Sequence, residues 1–300
     1  MSDNNVYHYC SVDTFLKIIK NRELWLTDVT KSNDSKELQI AEDTLNDVLN
    51  KRIANCDQNG SDIKLLNEFK EELKTLEIFE KLFHVCCFST KRDSLSQWAM
   101  YADDAKGVAI GINKDSLNDL AVHNKNMDFR KICYKLDGIN DTINHKLNRM
   151  LTKYNATKEI NDNLRVDFVE FALNEVVKKA YFYKNESFIE ESEYRLVYNS
   201  KPYSSHQEDD GSTVYEQILS RKEVNLTSEK DMLGKMDFYV SNGKLISYRP
   251  LRPYSLDSLI NEIVIGPKSA VKCDDVEMLL KVNGINNPKI KVYKSKITYQ

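Results

Sequence analysis

The order of hydrophobic and polar positions predicts short strands separated by amphipathic helices. Residues 6–9 are predicted to form the first strand. Ser11 suits the start of a helix, because its hydroxyl can accept a hydrogen bond from an amide of the first turn. Apolar residues then recur at helical spacing from Val12 to Ile19, which indicates one buried helix face. Residues 24–26 are predicted as a second strand.

A charged helical hairpin is predicted as an insertion over about residues 35–82, with Gly60 near its tip. Its two helices each carry a stripe of apolar residues: Leu38, Ala41, Leu45, Val48 and Leu49 in the first, and Leu66, Phe69, Leu73, Leu76 and Phe79 in the second. We expect these stripes to pack the hairpin onto the rest of the protein.

The remaining chain alternates strands with uneven helical stretches. Residues 83–88 form a continuous apolar run, as in a strand buried on both faces. Later predicted helices span 94–101, 141–180 and 270–281, and later predicted strands span 107–112, 194–198, 238–240, 262–265 and 289–293. Residues 201–235 are polar and predict an irregular loop. This order favours an α+β fold in one domain, residues 1–300, over a doubly wound parallel sheet.

Composition narrows the class of protein. Hydrophobic residues make up 41% of the chain, enough for a large core, and the net charge is −3, so no overall basic field draws the chain to nucleic acid or anionic membrane. No secretory signal and no run of about 18 apolar residues is visible, so we expect a cytoplasmic protein without a membrane span. Six scattered cysteines without a CxxC pair fit a reducing compartment, and Cys86 and Cys87 are predicted to be buried structural thiols.

The first candidate for chemistry is His8, which lies between Tyr7 and Tyr9 on the first predicted strand. The alternative is a histidine at the edge of the core whose ring is satisfied by protein groups. A second candidate group follows Ser89, where Trp98 and Tyr101 lie close to one face of a predicted helix. Those aromatic residues are equally typical of a core.

The third candidate is an acidic run that leads into a strand. Glu191 and Glu193 are two residues apart, so on a strand their side chains point the same way, together with Arg195. Two carboxylates side by side repel each other unless a cation or a cationic reaction centre faces them. The alternative is a solvated charge run. The GxGxxG, Walker, HExxH and GxSxG signatures are absent from the sequence, and no metal site is predicted.

Taken in order, these segments resemble a bacterial family, domain of unknown function 2971 (DUF2971). The residues that carry the resemblance are Tyr7, His8 and Tyr9; residues 24–28 with Asn33, Asp34 and Glu37; Cys87, Phe88 and Ser89; Ser96, Gln97 and Trp98; residues 101–103 and 106–111; Lys184, Phe188, Glu191 and residues 193–195; and residues 265–267. Phe188 stands where the family pattern leads us to expect Trp. The match spans nearly the whole chain. Apart from Asn33, Asp34 and Glu37, residues 30–80 lie outside it, and so do residues 200–235.

The order of these motifs is also similar to that of an ADP-ribosyltransferase fold. That resemblance implies three catalytic residues, Glu193, Glu191 and His8, with His8 holding the ribose beside the adenine of NAD. It implies NAD contacts from His8, Tyr9, Trp25, Ser89, Trp98, Tyr101 and Arg195. Trp25 would stack on nicotinamide, with Tyr101 or Trp98 as alternatives. Trp in place of Tyr, and no Ser-Thr-Ser run beyond Ser89 and Thr90, depart from that pattern.

The resemblance implies an enzyme that uses NAD as substrate and transfers ADP-ribose to a protein or nucleic acid, as a toxin or antiphage effector with a neutralising partner. Breaking the nicotinamide bond passes through an oxocarbenium-like centre that a carboxylate stabilises. Two alternatives stay open at this point. The first is an NAD glycohydrolase, in which water replaces the acceptor, and the second is a nucleotide-binding or sensor module without turnover.

Overall fold

The computed structural model of the protein describes residues 4–31, 37–57, 60–75, 83–124, 126–156, 181–199, 203–207, 213–217, 232–241, 243–253 and 255–299. Helices and strands alternate through these ranges, which confirms the α+β prediction. The chain forms two compact units. The first contains residues 1–29, 83–131 and 189–300, and the second contains residues 30–82 and 132–188.

The described elements are as follows. The strands are β1 (Asn5–Cys10), β2 (Leu24–Asp28), β3 (Phe83–Ser89), β4 (Val108–Asn113), β5 (Met127–Lys131), β6 (Glu193–Asn199), β7 (Tyr203–Gln207), β8 (Thr213–Gln217), β9 (Asp237–Ser241), β10 (Lys244–Leu251), β11 (Ile260–Ile265) and β12 (Lys291–Lys294). The helices are α1 (Val12–Asn21), α2 (Glu37–Ala54), α3 (Ser61–Thr75), α4 (Leu95–Tyr101), α5 (Lys114–Val122), α6 (Leu136–Ala156), α7 (Leu256–Leu259) and α8 (Cys273–Val282). Two short 3-10 helices span Val29–Lys31 and Glu186–Glu191.

Ten of the described strands form one mixed sheet. Its main path is β12-β11-β4-β1-β3-β2-β10-β9, and β6 pairs with β3 and with β5. The β11–β12 pair is parallel, and the other pairs of this sheet are antiparallel. Strands β7 and β8 form a separate antiparallel pair. The sheet is therefore mixed rather than wholly parallel.

The two faces of the sheet carry different side chains. Tyr7 and Tyr9 of β1 point to one face, where they pack with Trp98 of α4. Val6 and Cys10 point to the other face, into the larger core cluster. We call these the tyrosine face and the opposite face. Because directly paired residues of neighbouring strands share a face, the register assigns every strand position to one of them.

Helix α1 begins and ends as its sequence predicts. The Ser11 hydroxyl accepts a hydrogen bond from the Thr14 amide at 3.1 Å. Arg22 ends the helix in the left-handed region with φ of 56°, and its amide donates to the carbonyl of Ile18. Phe15 and Ile18 are buried on the face turned to the core. This helix connects β1 to β2, so its packing determines where both strands lie.

A left-handed turn follows α4. Asp103, Asp104 and Ala105 have φ of 49°, 49° and 67°, a conformation that costs about 1–2 kcal/mol for each residue with a Cβ. The Ala105 amide donates to the carbonyl of Trp98 at 2.9 Å. A Cβ on Gly266 would lie 2.4 Å from the Ala105 carbonyl oxygen, so only glycine fits at that position. The Lys268 amide donates to the Ala105 carbonyl at 3.0 Å, which holds the turn against the end of β11.

The second unit contains the predicted helical hairpin. Helices α2 and α3 lie within the predicted insertion, and both predicted stripes are buried where the structure describes them, as for Leu45, Leu49, Leu66 and Phe69. Arg52 of α2 donates to the side chain of Asn144 of α6 at 2.8 Å. Leu73, Leu76 and Phe79 lie in segments whose side chains the structure does not describe. The predicted helix over 141–180 is confirmed through Ala156, and its remainder lies outside the described residues.

Four of the described strands, β5, β7, β8 and β10, were not predicted from the sequence. β5 has only five residues, and β10 contains Pro250, which removes a ladder hydrogen-bond donor. Strands β7 and β8 lie within residues 201–235, which were predicted to be an irregular loop. Their sequence is polar, and the apolar alternation on which the prediction relied is therefore weak there.

The two adjacent cysteines of β3 differ in environment. Cys86 is 2% exposed and packs in the core of the opposite face, whereas Cys87 is exposed on the tyrosine face. The prediction that both thiols are buried is thus wrong for Cys87. An apolar run does not distinguish a strand buried on both faces from one with a local opening. Burial raises the pKa of the Cys86 thiol to about 12.

We expect a thiol-alkylating reagent to modify Cys87 in the folded protein at least about tenfold faster than Cys86, since the accessible thiolate is the reactive species. Mass spectrometry of the peptide containing β3 measures this in the Cys86→Ser and Cys87→Ser variants. Rapid labelling should persist in Cys86→Ser and disappear in Cys87→Ser. Equal rates in the two variants would show that β3 is not packed as described.

Candidate functional site

The sheet splits along one edge of β3. β1 pairs with β3 at Tyr7 and Ser89, and β2 pairs with the same edge further along, where Thr27 meets Val85. Between these points the described residues form no strand pairing with residues 86–88 on that edge. We call the gap between β1 and β2 beside these residues the notch. Strand β3 keeps its other edge fully paired, with all seven residues opposite β6.

Several predicted site residues meet on the tyrosine face beside the notch. Ser89 is opposite Glu193, and Cys87 is opposite Arg195. Ser89 is also opposite Tyr7 of β1, so all five side chains belong to the tyrosine face. Cys87 is exposed here although the rest of β3 is buried, which marks the notch as an opening in that face.

Glu193 and Arg195 form a buried ion pair. Arg195 donates from Nε and Nη2 to the two carboxylate oxygens of Glu193, at 2.8 and 3.1 Å. Glu193 is 4% exposed and Arg195 is 1% exposed. Such a bidentate pair holds the carboxylate in one orientation. Arg195, predicted to contact NAD, therefore holds Glu193.

Glu191 reaches the same face from a different element. It is the last residue of the 3-10 helix Glu186–Glu191 and is 6% exposed, and Ser192 after it has φ of 48°. Both glutamates lie on the tyrosine face, as expected. The expected reason is wrong, because Glu191 belongs to the 3-10 helix and only Glu193 lies on a strand. Tyr101 of α4 donates its hydroxyl to the Glu191 carboxylate, and Tyr101 packs against the aromatic cluster of the tyrosine face.

Backbone contacts tie the acidic segment to the end of β3. The Ser89 hydroxyl donates to the Glu191 carbonyl at 2.6 Å, and the Thr90 amide donates to the Ser192 carbonyl at 3.0 Å. The Thr90 hydroxyl donates to the Ser192 hydroxyl at 2.7 Å. Ser89, predicted to contact NAD, is 2% exposed and holds the backbone beside Glu191 instead.

His8 does not lie with the glutamates. It alternates with Tyr7 and Tyr9 on β1 and therefore points to the opposite face, as its contact with Phe88 at 5.8 Å between ring centroids also shows. The structure therefore does not bring His8 together with Glu191 and Glu193, the other two residues of the implied catalytic set. The His8 ring lies with Nδ1 3.0 Å from the Cys87 carbonyl oxygen, at the notch. Because a carbonyl oxygen only accepts, Nδ1 is the donor in this contact. Loss of solvation lowers the pKa of His8, and the hydrogen bond to the Cys87 carbonyl opposes that shift.

The predicted aromatic residues have different surroundings. Trp98 is fully buried and packs edge-on against Tyr9 at 4.8 Å, and the Tyr9 hydroxyl donates to the Lys91 carbonyl. Both are core residues. Trp25 is partly exposed but packs on Tyr248 at 4.4 Å between ring centroids. Of the predicted aromatic residues, Tyr101 alone contacts a candidate carboxylate within the described part of the chain.

Gln97 is a polar residue that the predictions passed over. It is 4% exposed, and its Nε2 makes no hydrogen bond to any described residue. Gln97 and Tyr101 are four residues apart on α4, so their side chains are neighbours on one helix face. A buried amide beside Tyr101 needs a water molecule or a ligand as its partner. The only signal for this residue was its place among those that resemble DUF2971.

Comparison with known proteins agrees with the first resemblance. Residues 97–196 match the family described as Protein of unknown function (DUF2971). The DUF2971 resemblance is confirmed over these residues. The matched region includes Gln97, Tyr101, Glu191, Glu193 and Arg195, the residues that meet on the tyrosine face and its adjoining helix. No curated protein and no solved structure matches the chain, so the further step from DUF2971 to an ADP-ribosyltransferase has no support from these comparisons.

Two further features concern ligands and membranes. Among the described residues, no three histidine, cysteine or acidic side chains come close enough together to hold a metal ion. No helix in the described part of the chain combines the length and the hydropathy that a membrane span needs.

We expect Glu193→Gln to lower the free energy of unfolding by about 3–5 kcal/mol, because it removes one partner of a buried ion pair. The double variant Glu193→Gln/Arg195→Met should recover a large part of that loss, since it buries no unmatched charge. Denaturant unfolding followed by circular dichroism measures both.

The matched control is Glu190→Gln, which removes an exposed carboxylate whose partner is Lys91. It should change the free energy of unfolding little, because exposed ion pairs contribute little. The single variant Arg195→Met completes the comparison. If the losses of Glu193→Gln and Arg195→Met add up to the loss of the double variant, the two side chains do not stabilise each other.

Proposed function

We propose that the protein is an enzyme that acts on the nicotinamide glycosidic bond of NAD and transfers the ADP-ribosyl group to an acceptor. The observation that carries the proposal is the convergence of two buried carboxylates, Glu191 and Glu193, beside an opening in the sheet. The acceptor is a macromolecule in the leading form of the proposal, and water in the alternative form.

The acidic pair suits a reaction that develops positive charge. When the bond between C1′ of the ribose and the nicotinamide nitrogen breaks, its electron pair leaves with nicotinamide, and C1′ becomes oxocarbenium-like. A carboxylate that is already oriented and largely removed from water stabilises that centre strongly. The acceptor then forms its bond to C1′ and loses a proton to solvent or to a base.

Glu191 is the residue that we assign to C1′. Its carboxylate is oriented by the Tyr101 hydroxyl and its backbone by Ser89, so it has a fixed place on the tyrosine face. Glu193 is engaged on both oxygens by Arg195, which suits a supporting role next to it. Fixed placement of this kind lowers the barrier because no reorganisation is needed during the reaction.

The structure also changes which residues we assign to the nicotinamide ring. Tyr101 is partly exposed and adjoins Glu191, so it is the aromatic residue that we assign to nicotinamide. Gln97 on the same helix face offers one amide donor and one acceptor, which match the carboxamide of nicotinamide. His8 is assigned no contact with NAD, because it points to the opposite face; it supports the edge of the notch through Cys87.

We expect Glu191→Gln to lower NAD turnover by about 100-fold or more while the melting temperature stays close to that of the unchanged protein. Gln keeps the size of the side chain and can still accept the Tyr101 hydroxyl, so the loss falls on stabilisation of the transition state. Incubation with NAD labelled in the adenine measures turnover and product together.

The matched control is Glu262→Gln. Glu262 is also a partly buried glutamate of the tyrosine face, but its carboxylate accepts hydrogen bonds from Tyr7 and Arg92. This variant should retain turnover. Label on a macromolecule supports ADP-ribosyl transfer, and free ADP-ribose supports a glycohydrolase. Retention of NAD without turnover would identify a binding module and overturn the proposed enzyme, as would full activity of Glu191→Gln.

A further inference from the structure

A cavity of about 640 Å³ lies beside β2, β9 and β10. Residues before β2 line one side, including Glu23, and residues around the β9–β10 pair line the other, including Lys235, Asp237, Tyr248 and Arg252. Its volume is within the range of sites for small molecules and cofactors. The resemblance to DUF2971 assigned no role to the charged residues of this cavity.

Arg252 is held in one orientation at the wall of the cavity. Its Nε and Nη2 lie 3.2 and 3.1 Å from Oε2 of Glu23. Glu23 is itself fixed, since its other oxygen accepts hydrogen bonds from Trp25 at 3.0 Å and Asn21 at 3.2 Å. The Glu23 side chain is 5% exposed, whereas that of Arg252 is 52% exposed. Glu23 therefore orients the guanidinium, and Nη1 remains available, as it donates to none of the described residues.

Lys235 supplies a second cation to the same cavity. It is exposed, and no acidic side chain of the described residues lies within ion-pair distance of its ammonium group. Arg252 is matched by Glu23, whereas Lys235 adds a positive charge that no described acidic side chain neutralises through an ion pair. An oriented guanidinium next to such an ammonium group is suited to an anion with several oxygens, such as a phosphate.

Asp237 and Tyr248 add polar groups to the lining of the same cavity. The Tyr248 hydroxyl donates to Asp237 Oδ2 at 3.2 Å, and the Phe238 amide donates to Asp237 Oδ1 at 2.8 Å. Burial, with the Asp237 carboxylate adding to it, raises the pKa of Tyr248 to about 12, so this hydroxyl remains a donor at neutral pH. Asp237 is left with lone pairs directed to solvent, which can accept hydroxyl or amino groups of a ligand.

We propose that this cavity binds a phosphorylated small molecule of nucleotide size. The phosphate lies between Arg252 and Lys235, and a hydroxyl group of the sugar donates to Asp237. Inorganic phosphate alone satisfies the cations but leaves the rest of the cavity to water. The proposal does not depend on the proposed reaction at Glu191, because it concerns binding at different residues.

Isothermal titration with three probes tests the proposal: inorganic phosphate, adenosine and AMP. We expect AMP to bind at least about tenfold more tightly than either of the others, since it alone engages the cations and Asp237 together. Lys235→Gln should weaken AMP binding about tenfold, the loss of one charge-assisted contact. The Lys235 side chain has no ion-pair partner among the described residues, so this variant should fold normally.

The matched control is Lys244→Gln, which removes the same charge from an exposed position on β10 outside the cavity. It should leave AMP binding unchanged. Arg252→Lys keeps the charge but loses the oriented pair of guanidinium donors, and should also weaken binding.

Failure of all three probes to bind would overturn the proposal, and so would equal weakening by Lys235→Gln and Lys244→Gln. Binding of phosphate as tight as that of AMP would reduce the cavity to an anion site and contradict the nucleotide-sized ligand. The titration does not measure NAD turnover. A protein without NAD turnover can therefore still confirm or overturn this proposal.

Discussion

The pairing of β3 with β6 over seven residues is the constraint on which the rest of the site depends. It aligns Ser89 with Glu193 and Cys87 with Arg195, and the hydroxyl of Ser89 then reaches the backbone of Glu191. On its other edge β3 is shared by β1 and β2, each of which pairs with only part of it. Complete pairing on one edge keeps the strand in place, and this permits incomplete pairing on the other. The opening at the notch is therefore compatible with a stable sheet.

Burial of Glu193 with Arg195 has a cost that hydrophobic residues would avoid. Removing two charges from water is offset only when their geometry is good, and a well-packed apolar pair is often as stable. A protein that keeps such a pair next to a second buried carboxylate gains orientation rather than stability. The same argument applies to Glu23, whose carboxylate is removed from water and holds Arg252 at the cavity wall. In both places a buried acid fixes the direction of a guanidinium.

Much of the fold follows from hydrophobic periodicity, but the site follows only in part. Alternation along β1 was sufficient to place His8 on the face opposite to Tyr7 and Tyr9. It gave no information on which of the two faces carries Glu193 and Arg195 of β6. That depends on the register of β3 against β6, which is set by contacts between residues more than a hundred positions apart. Glu191 could not be placed either, since a 3-10 helix and a positive φ at Ser192 precede β6. Cys87 is exposed because two strands separate, a tertiary event without a local signature.

The left-handed turn after α4 limits which sequences can occupy this part of the fold. Asp103 and Asp104 are tolerable there because a short polar side chain relieves some of the steric conflict, whereas a β-branched residue would meet the following carbonyl oxygen. Ala105 has a left-handed backbone and is fully buried. There is therefore no room for a larger side chain at this position. Relatives that keep this turn should therefore vary among Asp, Asn and Gly at the first two positions and among Ala and Gly at the third. A valine or isoleucine at any of these three positions would indicate that α4 ends differently. Tyr101, in the last turn of α4, would then point in another direction.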